Sequence, residues 1–457
     1  MAVTLIVASM MLFSMFFGAG NLIFPPMLGA ESGENFFIGM LGFLVTGVLL
    51  PVIAVVAIAI TGHDVQDLAK KGGRIFGLAF PVVAYLSIGA FYALPRTAAV
   101  SFSTTITPNF GWDSTGAIAL FSAVFFLISL ALAFDPSGIV DRLGKFLTPA
   151  LLILLVIMIT AGIFGLDANH DRAVDKYQTH AFTSGFVDGY LTMDSIAALA
   201  FGIVIVSSLR YKGVENGPKL VRGVSFSGIA AGALLAAVYV GLGMLGQRVD
   251  GAQGYPDGAS MLADAAAQSL GRPGAVVFGL IVLLACLTTA VGLLGATSEF
   301  FEKLIPAVSY RKWLVIFTII SFLVSTMGLT SVLAVAGPVI GFIYPAAITL
   351  IILTLAEPLI RRKLDMTFKL ALAVAVIWSA ATTLVGLGWG AEAISPLISW
   401  APGSEQQLGW VLPAVVAGLI GLAIDIFRAP SRAVPVGGES QKEAEMRTGS
   451  IAGTASH

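Results

Sequence analysis

Apolar residues occur in long blocks of about 20 or more, broken by short polar segments, from one end of the chain to the other. A helix of about 20 residues is about 30 Å long, the thickness of a bilayer's hydrocarbon core. Taken between polar breaks, the blocks predict twelve spans, near residues 2–30, 36–61, 75–106, 116–134, 146–166 and 187–209, then 223–247, 274–297, 313–327, 331–355, 368–389 and 409–427. The first block is read as a span rather than a cleaved signal, because Met1-Ala2-Val3 offers no basic segment and apolar character continues to Ala30. Two polar breaks are long external loops, 167–186 and 248–273. Within the second, Ala259–Leu270 has helical composition and is expected to fold back over an outer vestibule. Residues 428–457 are polar and rich in Ser, Gly and Ala, which predicts a disordered cytoplasmic tail after a transmembrane region of 1–427.

Composition makes the bilayer the solvent. Hydrophobic residues are 57% of the chain and charged residues 11%, against about 25% charge in soluble domains. The net charge of −1 points to no nucleic-acid partner, and the single cysteine, Cys286, lies in an apolar block, so no intrachain disulfide can form. The basic residues add an orientation. Twenty of the 25 Lys and Arg fall in one set of alternate loops and four (Arg172, Lys176, Arg248, Arg272) in the other, with Arg96 inside a span. Cytoplasmic loops retain positive charge, so both termini are predicted cytoplasmic and the number of spans even. A multi-pass membrane protein follows, and its expected place is the plasma membrane. A coarse repeat is expected as well, with spans one to five (2–166) and six to ten (187–355) as inverted halves, followed by extra helices over 368–427.

Chemistry is concentrated where the spans are irregular. Lipid cannot satisfy an unwound backbone, so a break in mid-span is tolerated only where protein or a water-filled cavity does. Span one carries Phe17-Gly18-Ala19-Gly20-Asn21, followed by Leu22-Ile23-Phe24-Pro25-Pro26, which should restart and then end a short second half. The half beginning near Asn21 would aim unpaired N–H groups at the gap, suiting a carboxylate. The half ending near Phe17 would offer carbonyls, suiting a hard cation. Close helix packing is the competing reading of such glycines. Span six shows a matching irregularity, Gly185-Phe186-Val187-Asp188-Gly189-Tyr190-Leu191-Thr192-Met193-Asp194-Ser195. Asp194 lies inside the apolar run, where an ionisable group is costly. It can meet a substrate ammonium, a cation or Arg96, or cap a helix. Asp188, nearer the surface, is expected to be solvated. Span eight contains Ala285-Cys286-Leu287-Thr288-Thr289, whose hydroxyls can ligate sodium or bond carbonyls of their own helix. In span three, Phe91-Tyr92-Ala93-Leu94-Pro95-Arg96-Thr97 places Tyr92 to cover a pocket and Pro95 to bend the helix. All four histidines lie in loops or the tail, and no HExxH, GxSxG or Walker A pattern occurs, so no enzymatic activity is expected.

These segments resemble the branched-chain amino acid carrier family, the LIVCS or BrnQ cation symporters of the amino acid-polyamine-cation superfamily. The resemblance implies an all-α integral membrane protein of the LeuT type, with about twelve transmembrane helices, an inverted 5+5 repeat, and helices one and six broken. It implies a sodium site at Ser14, Phe17, Ala285, Thr288 and Thr289, and substrate binding at Ala19 and Gly20, with Tyr190 to Asp194 of helix six around the remaining groups. Asn21, which resembles a position of a second sodium site in some relatives, and Tyr92, from its place in span three, complete the expected substrate set. The expected activity is sodium-coupled import of leucine, isoleucine and valine. The alternative is a proton-coupled carrier of another small apolar solute, with Asp194 titrating. Na+ is expected as the coupling ion. No organic cofactor, no nucleic acid and no obligatory protein partner is expected.

Overall fold

In a computed structural model, residues 2–61, 65–135, 143–167, 172–428, 435–440 and 443–444 are described, and all the regular structure among them is helical. Ten helical runs are long and apolar enough to cross a membrane by length and composition. They meet the twelve-span expectation once two features are resolved. The 42-residue run Gly20–Thr61 holds the second half of span one together with span two. The first half of span one, Val3–Phe16, and span nine, the 16-residue helix Tyr310–Ser325, are shorter than the other spans.

Several boundaries differ from expectation, each for a local reason. The segment 167–186, expected as a loop, is helical over Asp175–Tyr190 with a kink at His180 (φ −138°, ψ 45°). Its start is fixed where the Tyr177 and Gln178 amides bond the Val174 carbonyl, at 2.8 and 3.0 Å. Pro25 and Pro26 do not end the second half of span one, which continues over Ala19–Ser32. The missing proline N–H groups leave the carbonyls of Asn21 and Leu22 without their usual helical donors. The external helix expected at Ala259–Leu270 is present as Gly258–Leu270, capped by Asp257, whose carboxylate accepts from the Ser260 amide at 2.8 Å. A short helix not foreseen, Ala391–Ile398, follows Gly390 between spans eleven and twelve.

The chain divides into two compact units. The first comprises Met1–Pro51, Tyr85–Ala197 and Ser227–Ala336. Its tightest seam joins the helix Phe36–Leu44 to Asp175–Tyr190, where glycines remove the side chains that would keep the backbones apart. A Cβ on Gly185 would overlap the Gly39 carbonyl, one on Gly42 the Phe182 carbonyl, and one on Gly189 the Thr46 hydroxyl. The glycines of span six, expected to mark an irregularity, therefore serve close helix packing. In the same unit Tyr85 stacks on Phe300 with ring centroids 4.1 Å apart.

The second unit comprises Val52–Ala84, Ala198–Phe226 and Gly337–His457. Here the buried Asp425 caps the helix Asp365–Gly386, accepting from the Met366 and Thr367 amides at 3.0 and 2.9 Å and from the Thr367 hydroxyl at 2.8 Å. Lys71 and Glu357 form an ion pair. Residues 435–440 of the expected tail carry ordered contacts. The Gly437 amide donates to Ile60 O at 2.8 Å, and the Gly217 amide to Gly437 O at 2.9 Å. The remainder of that tail, 429–434, 441–442 and 445–457, lies outside the described residues.

Candidate functional site

Span one breaks at Phe17-Gly18. The first half ends at Phe16 and the Phe17 amide still bonds Phe13 O at 2.8 Å. Gly18 then turns extended (φ −123°, ψ −159°) and a new helix starts at Ala19. That conformation is open to any residue, so the need for glycine is one of space. A Cβ here would sit 2.7 Å from the Thr289 hydroxyl of span eight. Asn21, in the first turn of the new helix, closes the break, its Oδ1 accepting from the Gly18 amide at 2.9 Å. Its Nδ2 donates to Asp194 Oδ2 at 2.8 Å and contacts the Tyr239 hydroxyl.

Span six breaks at Leu191-Thr192-Met193, just beyond the glycines Gly185 and Gly189. Met193 has φ +67°, a left-handed backbone that costs a non-glycine residue about 1–2 kcal/mol. Thr192 braces the turn by donating to Gly189 O at 2.9 Å and accepting from the Asp194 amide at 3.4 Å. Asp194 opens the second half, 3% exposed. Its Oδ2 also accepts from the Tyr239 hydroxyl at 2.7 Å. The partners of Asp194 are thus Asn21 and Tyr239, and Arg96 makes no ion pair with it. Tyr239 comes from span seven, held between the rings of Phe43 and Phe17 at 5.3 and 6.5 Å. As a lone tyrosine in an apolar run it carries no local signal, and sequence reasoning missed it.

Asp188, expected to be solvated, is held instead. Its Oδ2 accepts from the Tyr177 hydroxyl at 2.7 Å and lies 3.2 Å from Lys176 Nζ. Lys176 also pairs with Glu31, at 2.7 Å, so one cation bridges spans one and six. The helical start at Asp175 brings both partners to Asp188.

Span three bends upstream of its proline. A π-helical turn at Ser87–Phe91 contains non-helical Gly89 (φ −85°, ψ −118°), Tyr92 is also off-helix, and helix resumes at Ala93. Pro95 cannot donate to the Phe91 carbonyl and its ring crowds it, so the distortion falls one turn earlier. Beyond it, Arg96 Nη1 donates to the Tyr92 hydroxyl at 2.9 Å. Gly20 makes room for this guanidinium, since a Cβ there would lie 3.0 Å from Arg96 Nη2.

A narrow cavity lies at these breaks, its walls including Gly18, Asn21, Arg96, Thr192, Asp194 and Thr289. Of the expected substrate-site residues, Asn21 and Asp194 line it, whereas Gly20, Tyr92 and Tyr190 do not. Tyr92 lies under Arg96, and Tyr190 packs edge-on against Phe186 at 5.2 Å. Ala19 and Gly20 form the first turn of the helix at the break, and first-turn amides have no intrahelical acceptor.

Next to the cavity, spans one and eight share a cluster of neutral oxygens. The Thr288 hydroxyl lies 2.9 Å from Ser14 O and 3.0 Å from Ala285 O. The Thr289 hydroxyl lies 3.4 Å from Ser14 O and 3.2 Å from Met15 O. Four of the five residues expected at the cation site therefore meet, and Met15, unforeseen, joins them. Phe17, the fifth, has its ring stacked on Phe13 at 5.5 Å, and no hydrogen bond among the described residues joins it to the cluster. Uncharged carbonyl and hydroxyl oxygens from two helices are the ligand type a hard cation takes.

Over residues 1–428 the chain matches the family described as branched-chain amino acid transport protein. It is 50% identical over 422 residues to the branched-chain amino acid permease BrnQ of Corynebacterium glutamicum, covering 92% of this chain and 95% of that one. Among solved structures it is similar to Mhp1, a nucleobase-cation-symport-1 family transporter, with a TM-score of 0.61 at 14% identity, covering 97% of this chain and 96% of that one. It is also similar to a Na+-coupled sialic acid symporter, with a TM-score of 0.62 at 12% identity, covering 94% and 91%. Those two likenesses establish the fold, the LeuT type. With a family match that reaches from the first span to the last, and half of its aligned positions shared with that permease, this chain belongs to the branched-chain amino acid transport protein family and is a multi-pass membrane transporter.

Proposed function

We propose that the protein imports leucine, isoleucine and valine across the plasma membrane in symport with sodium, its termini on the cytoplasmic side. The observation that carries the sodium half is the meeting of the Thr288 and Thr289 hydroxyls with the carbonyls of Ser14, Met15 and Ala285. In this reading Ser14, Ala285, Thr288 and Thr289 hold the ion, with Phe17 contributing its carbonyl. The amides of Ala19 and Gly20 take the substrate carboxylate at the positive end of a helix. Asp194, braced by Asn21 and Tyr239, faces the ammonium, while Tyr92 and Tyr190 act from behind the wall. Branched aliphatic side chains differ by a methylene at most, worth about 1–3 kcal/mol in an apolar pocket, so the three substrates compete.

The test is uptake of labelled leucine into proteoliposomes carrying the purified protein. Uptake driven by an inward sodium gradient, competed by isoleucine and valine and lost when choline replaces sodium, is expected. A second reading, proton coupling through Asp194, is favoured by the burial of that carboxylate without an ion-pair partner among the described residues. Uptake that ignores sodium and follows a pH gradient would establish it instead.

The two threonines give a finer prediction. Thr289→Ala and Thr288→Ala each remove one neutral ligand, worth about 1 kcal/mol. Each should raise the sodium concentration needed for half-maximal uptake by roughly five- to tenfold, at unchanged expression. A Thr289→Ala protein with wild-type sodium dependence would take that residue out of the ion site.

A further inference from the structure

Arg96 is a basic residue that the sequence places deep inside a span, and it is 5% exposed. Its guanidinium lies over the Tyr92 ring, 5.0 Å from the centroid, and Nη1 bonds the Tyr92 hydroxyl. Its Nε has no hydrogen-bond partner, and no carboxylate among the described residues comes within ion-pair distance. Asp194 lines the same cavity, yet its carboxylate is engaged by Asn21 and Tyr239. A buried guanidinium that touches no anion is costly. This one faces a cavity that already holds the start of a helix. Gly20 admits Arg96 Nη2 against the first turn of that helix, where the amides of Ala19 and Gly20 have no intrahelical acceptor. A full positive charge and a helix N-terminus therefore converge on one place.

We propose that Arg96 binds the carboxylate of the transported amino acid, together with those amides. The site then holds a zwitterion by both ends, carboxylate to Arg96 and ammonium to Asp194, and refuses solutes whose carboxylate is masked. The inference rests on the amino-acid reading given above. It makes the unpaired guanidinium and Asp194 parts of one recognition device, in which the substrate is the missing partner of each. A planar fork suits a carboxylate better than a point charge does.

The experiment is displacement of labelled leucine from the purified full-length protein by leucine and by leucinamide, which keeps the ammonium and side chain and lacks the negative charge. The wild type should prefer leucine on the order of 100-fold, and Arg96→Gln should weaken leucine by a similar factor and bring the two ligands nearly level. Arg96→Lys, which keeps the charge and loses the fork, should still prefer leucine while binding it about tenfold more weakly. An Arg96→Gln protein that keeps the full wild-type preference overturns the assignment, as does a wild type that binds both ligands equally. If Arg96→Gln does not fold, Arg96→Lys decides, and a loss of preference or an unchanged leucine affinity there also overturns it. A wild-type protein that binds no branched-chain amino acid at all sinks the amino-acid reading itself, which separates the two failures.

Discussion

Asp194→Asn is expected to lower leucine uptake by about 100-fold or more while leaving the purified protein folded. The amide is nearly the same shape as the carboxylate, and its oxygen can still accept from Asn21 Nδ2 and the Tyr239 hydroxyl, the two donors on Oδ2. What it removes is the charge that the proposed site sets against the ammonium. Asp194→Ala separates the two contributions. It leaves the buried donors of Asn21 and Tyr239 without their acceptor, which should cost about 1–3 kcal/mol for each stranded group, on top of the transport defect. Initial rates in proteoliposomes and the thermal midpoint of each variant measure the two effects. Uptake by Asp194→Asn within a few-fold of wild type would leave Asp194 a structural brace only.

Gly185→Val should prevent folding or lower stability by more than about 3 kcal/mol. Its first added carbon would overlap the Gly39 carbonyl, a backbone atom that cannot rotate away, and the facing Gly42 has the same relation to Phe182. Relief requires the helices Phe36–Leu44 and Asp175–Tyr190 to separate, which would loosen the span that delivers Asp194. Gly116→Ala is the control. Nothing lies within 4 Å of a Cβ at that position in the span-four helix, and the change should be neutral or slightly stabilising. Folded yield and thermal midpoint in detergent decide the matter, and a Gly185→Val protein as stable as Gly116→Ala would show that the seam can open at little cost.

Much of this was legible in the residues because membrane insertion writes its constraints locally. Apolar blocks gave the twelve spans, and a Gly-Ala-Gly-Asn run inside one of them located the first break. Features set by the partner helix were not legible. Gly185 and Gly189 look like a point of unwinding, yet they are the contact surface of the helical stretch after the His180 kink, and the chain unwinds at Leu191-Thr192-Met193, where no glycine stands. Pro25-Pro26 look like a stop, but the helix passes through them to Ser32. Tyr239 and the Met15 carbonyl are ordinary in sequence, and only the approach of distant helices gives them roles. Asp188 looked solvated because the helix bearing Lys176 and Tyr177 begins earlier than hydropathy indicates.

The Asn21 side chain is engaged at both ends, its oxygen by the Gly18 amide and its nitrogen by Asp194, while Gly18 lies against the Thr289 hydroxyl. One amide thus stands between the oxygen cluster of span eight and the carboxylate of span six. On the proposed assignment, any change an ion imposes on this chain of contacts is felt by the amino acid, and thermodynamic linkage makes the effect mutual. The factor by which sodium tightens leucine must equal the factor by which leucine tightens sodium, and Asn21 is the side chain through which that single coupling constant would be set.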